Sequence, residues 1–265
     1  MLSHSTRRPE RPYQRYIVPE SPPFDPIELT RQTAALTCRR AERKYTDFYC
    51  TGVYQGISTG YLVGCNLRCA FCWVNWSRDF PEEHGVFYSP EAASRQLLSN
   101  ARKKGVKKLR ISGGEPTLCK EHLLQLLHLV KTSGYLFMLE TNGILLGYDR
   151  SYARELKGLP NLHLRLCIKG GNPQGFQRRT GARGEFYELP FRAVEHLLQE
   201  RVSFHIACMS DPRLMPAEER KDVIARLKSL GYRDYVEDEV CDPYPTTIAR
   251  LKKAGLHIPF PSEGW

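Results

Sequence analysis

No apolar run in the 265 residues approaches the length needed to cross a bilayer, so no membrane-spanning helix is expected. No secretory leader is expected either, because Met1 to Glu20 is polar and basic with no apolar core segment. No internal repeat recurs at a fixed short period. Acidic residues are in short supply: 29 Asp and Glu stand against 39 Lys and Arg, leaving a net charge of +10 and a pI near 9.2. The basic surplus clusters at Arg7-Arg8, at 39–44, at 102–108, and at Arg178, Arg179 and Arg183. Such a balance suits a polyanion such as RNA, and it equally describes a solvated basic surface. Cysteine is not scarce. Nine cysteines without a leader read as reduced cytoplasmic thiols, metal ligands or both, so a cytoplasmic location is expected.

Three of these cysteines, Cys65, Cys69 and Cys72, sit in one short loop directly after the apolar run Tyr61-Leu62-Val63. Their C-x3-C-x2-C spacing lets the loop curl three thiolates around one metal centre. Structural zinc takes four protein ligands and favours paired C-x2-C units, and only one such pair is present. Three thiolates on a four-iron cluster leave one iron without a protein ligand, and that open position binds a second molecule.

A chain of this length buries one sizeable core, either a single α/β barrel or two small domains. Residues 1–26, rich in Pro and Arg, read as an extended arm, and 27–44 reads as a helix. Beyond that, strand and helix patterns alternate. Strands are predicted at 57–63, 107–112, 135–140, 162–168, 202–209 and 234–239. Helices are predicted at 90–104, 121–132, 152–157, 189–200, 216–230 and 246–254, with Ser89 and Pro90 opening the first of them. Six such units imply a parallel α/β sheet curled into a partial (β/α)6 TIM-type barrel at 57–265, preceded by an N-terminal basic arm and helix at 1–56. Ligand sites on such a barrel lie at the carboxyl ends of the strands, where the cysteine loop falls.

The next strand ends carry further motifs. Ser112-Gly113-Gly114-Glu115-Pro116-Thr117 follows the second strand, with glycines that permit close backbone approach and a carboxylate that accepts from an ammonium group. Glu140-Thr141-Asn142-Gly143 ends the third strand. Cys167-Ile168-Lys169-Gly170 ends the fourth, followed by Arg179-Thr180-Gly181-Ala182.

The cysteine loop with Gly113-Gly114-Glu115-Pro116 resembles the radical S-adenosylmethionine (SAM) superfamily. That resemblance implies a [4Fe-4S] cluster on Cys65, Cys69 and Cys72, and SAM chelated to its open iron. It implies reductive cleavage of SAM, hydrogen abstraction from a substrate, and a one-electron donor such as flavodoxin or ferredoxin. Gly113, Gly114, Glu115 and Pro116 would hold the SAM amine, and Phe71 would pack near its adenine; Phe71 also reads as simple core filling. Residues 57–240 resemble the activases of glycyl radical enzymes, such as the pyruvate formate-lyase activating enzyme, through the Thr141-Asn142-Gly143 loop and Lys169. Cys167 stands where those activases carry an Asp that helps hold a cation. The Cys69-Ala70-Phe71-Cys72-Trp73 run also resembles tRNA-wybutosine synthase, which carries upstream cysteines for a second cluster. Cys38 and Cys50 lie upstream here, but 51–64 holds no third cysteine. The two read either as ordinary buried thiols or as part of a second cluster. An iron–sulfur electron carrier is the alternative that involves no enzyme.

Strand alternation turns Leu162, Leu164, Leu166 and Ile168 toward the helices and His163, Arg165, Cys167 and Lys169 into the barrel. The same reasoning turns Arg110, Ser112, Glu140, His205, Glu237 and Glu239 inward. Buried charges need partners or water. This ring therefore reads either as a hydrated polar cavity or as a set of ion pairs that compensate one another. Glu140, Thr141, Asn142, Lys169 and His205 are taken as further candidates for cofactor contact.

Overall fold

Parallel pairing joins six strands in chain order, as the alternating patterns predict. They are β3 (Ile57–Leu62), β5 (Lys108–Ser112), β6 (Leu136–Thr141), β7 (Leu162–Ile168), β8 (Phe204–Met209) and β9 (Val236–Glu239). The computed structural model describes residues 12–260. Among these residues β3 and β9 do not pair, so the sheet is an open, partial barrel. The outward faces of the strands present Leu109, Ile111, Phe137, Leu139, Leu164, Leu166 and Ile206, all fully buried against the helix layer. That layer comprises α2 (Pro90–Lys104), α3 (Lys120–Val130), α4 (Ile144–Tyr148), α5 (Arg150–Glu155), α6 (Pro173–Thr180), α7 (Glu188–Glu200), α8 (Ala217–Ser229) and α9 (Pro245–Lys253). The start and stop of α2 follow from sequence. Ser89 accepts from the Ala92 amide, Pro90 opens the first turn, and Gly105 ends the helix at φ 67°. Among the described residues no helix is long and apolar enough to cross a membrane.

The N-terminal region departs from expectation. The helix predicted over 27–44 is α1 (Pro26–Thr37) and stops at Thr37. The chain then forms β1 (Cys38–Arg39), turns through Arg40 at φ 51°, and returns as the ten-residue β2 (Glu42–Thr51). Arg, Lys, Glu and Ala at 39–44 have good helix propensity. Antiparallel pairing of β2 with β3, and with the short β4 (Val86–Tyr88), overrides it. One sheet therefore runs across the expected boundary at 56/57. Cys38 and Cys50 do not converge. Cys38 lies against Cys119, whereas Cys50 pairs with Ser58 at the far end of β2 and reaches the Asn100 carbonyl at 3.5 Å. Arg7, Arg8 and the rest of the expected arm before residue 12 lie outside the described residues, as does the tail beyond 260.

The lower end of the barrel is closed by Tyr54. Tyr54 and Gln55 both hold positive φ (52° and 62°), a costly geometry for residues with a Cβ. The fold enforces it: the Tyr54 hydroxyl donates to Glu140 at 2.6 Å, and Lys108 Nζ donates to the Tyr54 carbonyl at 2.5 Å.

Candidate functional site

At the carboxyl ends of the strands, one cavity of about 180 Å³ is lined by residues from every parallel strand end or the loop that follows it. Cys65, Cys69 and Cys72 line it. So do Phe71, Gly113, Gly114, Glu115, Glu140, Thr141, Asn142 and Lys169, residues singled out from sequence. Two others do not. Pro116 starts the short helical turn behind the loop, and His205 lies lower in the barrel, bonded to His163 at 2.8 Å and to Glu237 at 3.1 Å.

The cysteine loop is fixed by its backbone. Arg68 N donates to the Thr180 carbonyl at 3.0 Å and Ala70 N to the Arg179 carbonyl at 2.9 Å, so the segment after β7 braces it. Arg179 is itself buried and paired with Glu219. The Cys65 thiol receives the Leu67 amide at 3.4 Å and lies 3.8 Å from Asn142 Nδ2. Burial pushes Cys65 up to about 12 and Cys69 up to about 11, with neighbouring Glu115 adding to the shift at Cys65. Thiolates here therefore need a cation, which is the role a metal centre fills.

The two glycines do something the sequence reading did not foresee. Gly113 holds φ 85°, and a Cβ on Gly114 would sit 2.3 Å from the Gly64 carbonyl oxygen. Gly114 N donates to the Leu62 carbonyl and Glu115 N to the Gly64 carbonyl, both at 2.9 Å. The close approach is therefore to the backbone that leads into the cysteine loop. Glu115, also buried, ties this loop to the next. Its Oε1 accepts from Thr117 N at 3.1 Å, Thr117 Oγ1 at 2.7 Å and Thr141 Oγ1 at 2.7 Å, and its Oε2 accepts from Asn142 N at 3.0 Å. Oε2 has a single protein donor, which leaves acceptor capacity on that oxygen.

The barrel interior below the cavity is a chain of ion pairs. Arg110 meets Glu140 at 3.0 Å, Arg165 meets Glu237 at 2.9 Å and Glu239 at 2.8 Å, and Lys169 meets Glu239 at 3.1 Å. Of the two readings of this ring, self-compensation holds for these charges. Burial works against the Glu239 charge, yet Lys169 and Arg165 hold its carboxyl down at about 2. Burial likewise opposes the Lys169 charge, while Cys167 and Glu239 raise it, so its amine stays an ammonium. Lys169 Nζ also sits 5.5 Å over the Phe71 ring, joining the two across the cavity. Cys167 lines the same cavity and receives Arg165 Nη1 at 3.1 Å.

Sequence reasoning missed the cavity rim. Trp73, 44% exposed, stands 6.3 Å from Tyr61 and 6.3 Å from the exposed Tyr244 beside α9, and Val240 and Asp242 complete the edge. The signal available was Trp73 directly after the third cysteine.

Residues 61–241 match the Radical SAM superfamily. Over 117 residues the chain is 31% identical to a probable GTP 3′,8-cyclase of Methanococcus maripaludis, covering 44% of this chain and 37% of the relative. Over 96 residues it is 29% identical to a 7-carboxy-7-deazaguanine synthase of Clostridium acetobutylicum, covering 34% of this chain and 41% of the relative. The matches thus span about two fifths of the length of these curated relatives. The fold is similar to Streptococcus suis SuiB bound to S-adenosylmethionine, with TM-score 0.56 and 16% identity over 73% of this chain and 44% of that one. It is also similar to TYW1 with a lysine–pyruvate adduct bound, with TM-score 0.52 and 19% identity over 74% of this chain and 67% of that one. The family match runs through the cysteine loop and the strand ends that surround its cavity, and the chain belongs to the radical SAM superfamily, whose enzymes use a [4Fe-4S] cluster and S-adenosylmethionine.

Proposed function

We propose that this enzyme cleaves SAM reductively on a cluster held by Cys65, Cys69 and Cys72, and abstracts hydrogen from a polar substrate at the barrel mouth. The observation that carries the reading is the convergence of these three thiols with Glu115, Thr141, Asn142 and Lys169 on one cavity. The residues present fit the cluster. The three thiols share one cavity, and beside them the buried Arg68 guanidinium has, among the described residues, no carboxylate partner and an unpartnered Nη2, so the site favours a negatively charged occupant.

When bound, the cluster supplies one electron that splits SAM, and the organic radical released takes a hydrogen atom from the substrate. The chain's own residues bind and orient. Glu115 Oε2 accepts from the SAM ammonium, Gly113 and Gly114 keep that loop pressed against the cysteines, and Pro116 fixes where it turns. Phe71 packs beside the adenine. Glu140, Thr141 and Asn142 line the adjoining wall, and Lys169 offers its ammonium to an anionic group of SAM or substrate. His205 acts one layer below by holding Glu237, which in turn holds Arg165. Superfamily chemistry calls for a one-electron donor, for which flavodoxin or ferredoxin is the proposed class.

A second reading is modification of a purine, including a tRNA base. Its supports are the relatives named for GTP and 7-deazaguanine chemistry, the net charge of +10, and the rings of Trp73 and Tyr244 at the rim, which suit base stacking. An activase role is disfavoured by Cys167, which replaces the Asp of that branch. A plain electron carrier needs neither the Gly113–Glu115 loop nor a barrel.

Anaerobic reconstitution should give about four iron per chain. Dithionite and SAM should then yield 5′-deoxyadenosine, and Cys65→Ala, Cys69→Ala and Cys72→Ala combined should abolish both. A full cluster in that triple variant would sink the ligand assignment. Extract of cells grown in deuterated water, fractionated and incubated with unlabelled SAM and the reconstituted enzyme, identifies the substrate as the component that delivers deuterium into 5′-deoxyadenosine.

A further inference from the structure

Each candidate cluster ligand has its main-chain carbonyl held by a different buried arginine. Arg68, within the loop, donates from Nη1 to the Cys65 carbonyl at 2.6 Å. Arg78 donates to the Cys69 carbonyl at 2.8 Å. Arg250, on α9, donates to the Cys72 carbonyl at 2.7 Å, where Thr247 adds a bond at 3.3 Å. The three are 0%, 1% and 2% exposed.

Their charges are not balanced by carboxylates. Asp79, fully buried, accepts from Arg78 Nε at 2.9 Å and from Arg250 Nε at 3.2 Å, so it is shared between two cations. Arg68 has none. Its remaining bonds go to the carbonyls of Gln14 at 2.5 Å and Leu67 at 2.9 Å, its Nη2 is unpartnered, and the Tyr13 ring lies 5.1 Å from its Cζ. A buried guanidinium without a counter-ion is costly, so the negative charge this arrangement lacks belongs at the thiolates.

We infer that Arg68, Arg78 and Arg250 are positioning residues that clamp the three corners of the cysteine loop and, as fixed positive charge beside the ligands, raise the reduction potential of the cluster. This rests on the ligand reading above. Reduction brings in one electron from an external donor, with no bond made or broken, and leaves the cluster one unit more negative. Fixed cations therefore stabilise the reduced form more than the oxidised form. Out of solvent they act with little screening, and net charge and hydrogen bonding near the sulfurs are established determinants of cluster potential.

The test reconstitutes the parent chain, Arg68→Gln, Arg68→Lys and Asp79→Asn, counts iron, and titrates each cluster against viologen dyes with electron paramagnetic resonance as readout. At the parent's midpoint, Arg68→Gln should show a reduced-to-oxidised ratio at least tenfold lower, about 59 mV for one electron. Arg68→Lys, which keeps the charge, should restore most of that ratio. Asp79→Asn removes the buried carboxylate that Arg78 and Arg250 share and should move the ratio the opposite way. Opposite signs do not arise from a merely loosened loop. If Arg68→Gln does not retain iron, Asp79→Asn decides alone. Unchanged ratios in iron-replete variants, or shifts of the same sign, overturn the electrostatic role and leave the ligand reading intact. A parent chain that takes up no cluster overturns both.

Discussion

Glu115→Ala separates two roles of one carboxylate. In the free protein Glu115 is the knot between the loop after β5 and the loop after β6, accepting from two backbone amides and two threonine hydroxyls. Truncation leaves the amides of Thr117 and Asn142 without their acceptor in a buried site. At roughly 1–3 kcal/mol for each buried group left unpaired, the two amides alone cost about 2–6 kcal/mol. For a chain of this size, with about 2–4 °C per kcal/mol, the melting temperature of the cluster-free protein should fall by at least ~4 °C. SAM binding by the reconstituted protein, measured by equilibrium dialysis, should weaken while iron content holds. Glu115→Gln keeps one oxygen and the side-chain volume, so its stability should lie between parent and Ala. A cluster-free Glu115→Ala protein that melts within ~1 °C of the parent would refute the knot, since no buried amide could then have lost a partner that mattered.

Acid should expose the interior ion pairs. Glu239 is held at about 2, below its ordinary 4.5, so its contribution is present above the unfolded value and is lost as pH falls toward 2. The shift corresponds to about 3 kcal/mol, and Glu239→Gln should flatten the fall in urea midpoint between about pH 6 and about pH 3; an unchanged slope contradicts the pairing. Cys38 should be the reactive upstream thiol: hydrogen bonding from Cys119 lowers it below the ordinary thiol range, with Arg43 assisting against burial. Its alkylation should therefore set in at lower pH than that of an ordinary thiol and move upward in Cys119→Ala, and an unchanged alkylation profile in that variant would contradict this. Unmodified tRNA should bind with a steep salt dependence, since phosphate contacts release counterions. Structure-selective binding that also accelerates SAM cleavage would place tRNA modification ahead of the first reading, and binding without acceleration would mark only a basic surface.

Much of the barrel was legible because its signals are local. Alternation of apolar and polar residues marked Leu162–Ile168 and sorted Arg165 from Leu166, and Ser89, Pro90 and Gly105 bounded α2. The strand β2 was hidden because Glu42, Arg43 and Lys44 favour helix locally, and only pairing with β1 and with the distant Phe87 and Tyr88 of β4 makes them strand. The helix α6 was hidden inside a stretch read for its motifs, although Asn172, Pro173 and Gly181 supply its cap, first turn and stop. In the site, residue types at the strand ends picked out residues that the fold brings to one cavity. Orientation within it was not legible. Whether Gly114 faces a ligand or the Gly64 carbonyl depends on how two loops pack, and whether His205 reaches the cavity depends on the layer at which Glu237 receives it. The buried partners of Arg250, Asp79 and the Cys72 carbonyl, lie too far from it in sequence for any local pattern to join them.

The bond from Arg250 to the Cys72 carbonyl spans 178 residues, and that separation is also an interval of time. At about 5–20 residues per second, the cysteine loop leaves the ribosome about 9–36 s before the helix that clamps its last ligand. During that interval the Cys72 corner lacks Arg250 and Thr247, and Asp79 has one of its two cations. Iron delivered to the growing chain would meet a loop with one corner loose and three thiols open to oxidation. The full set of carbonyl bonds around the cysteine loop exists only after the end of the barrel has docked, which makes α9 the last element to reach that loop.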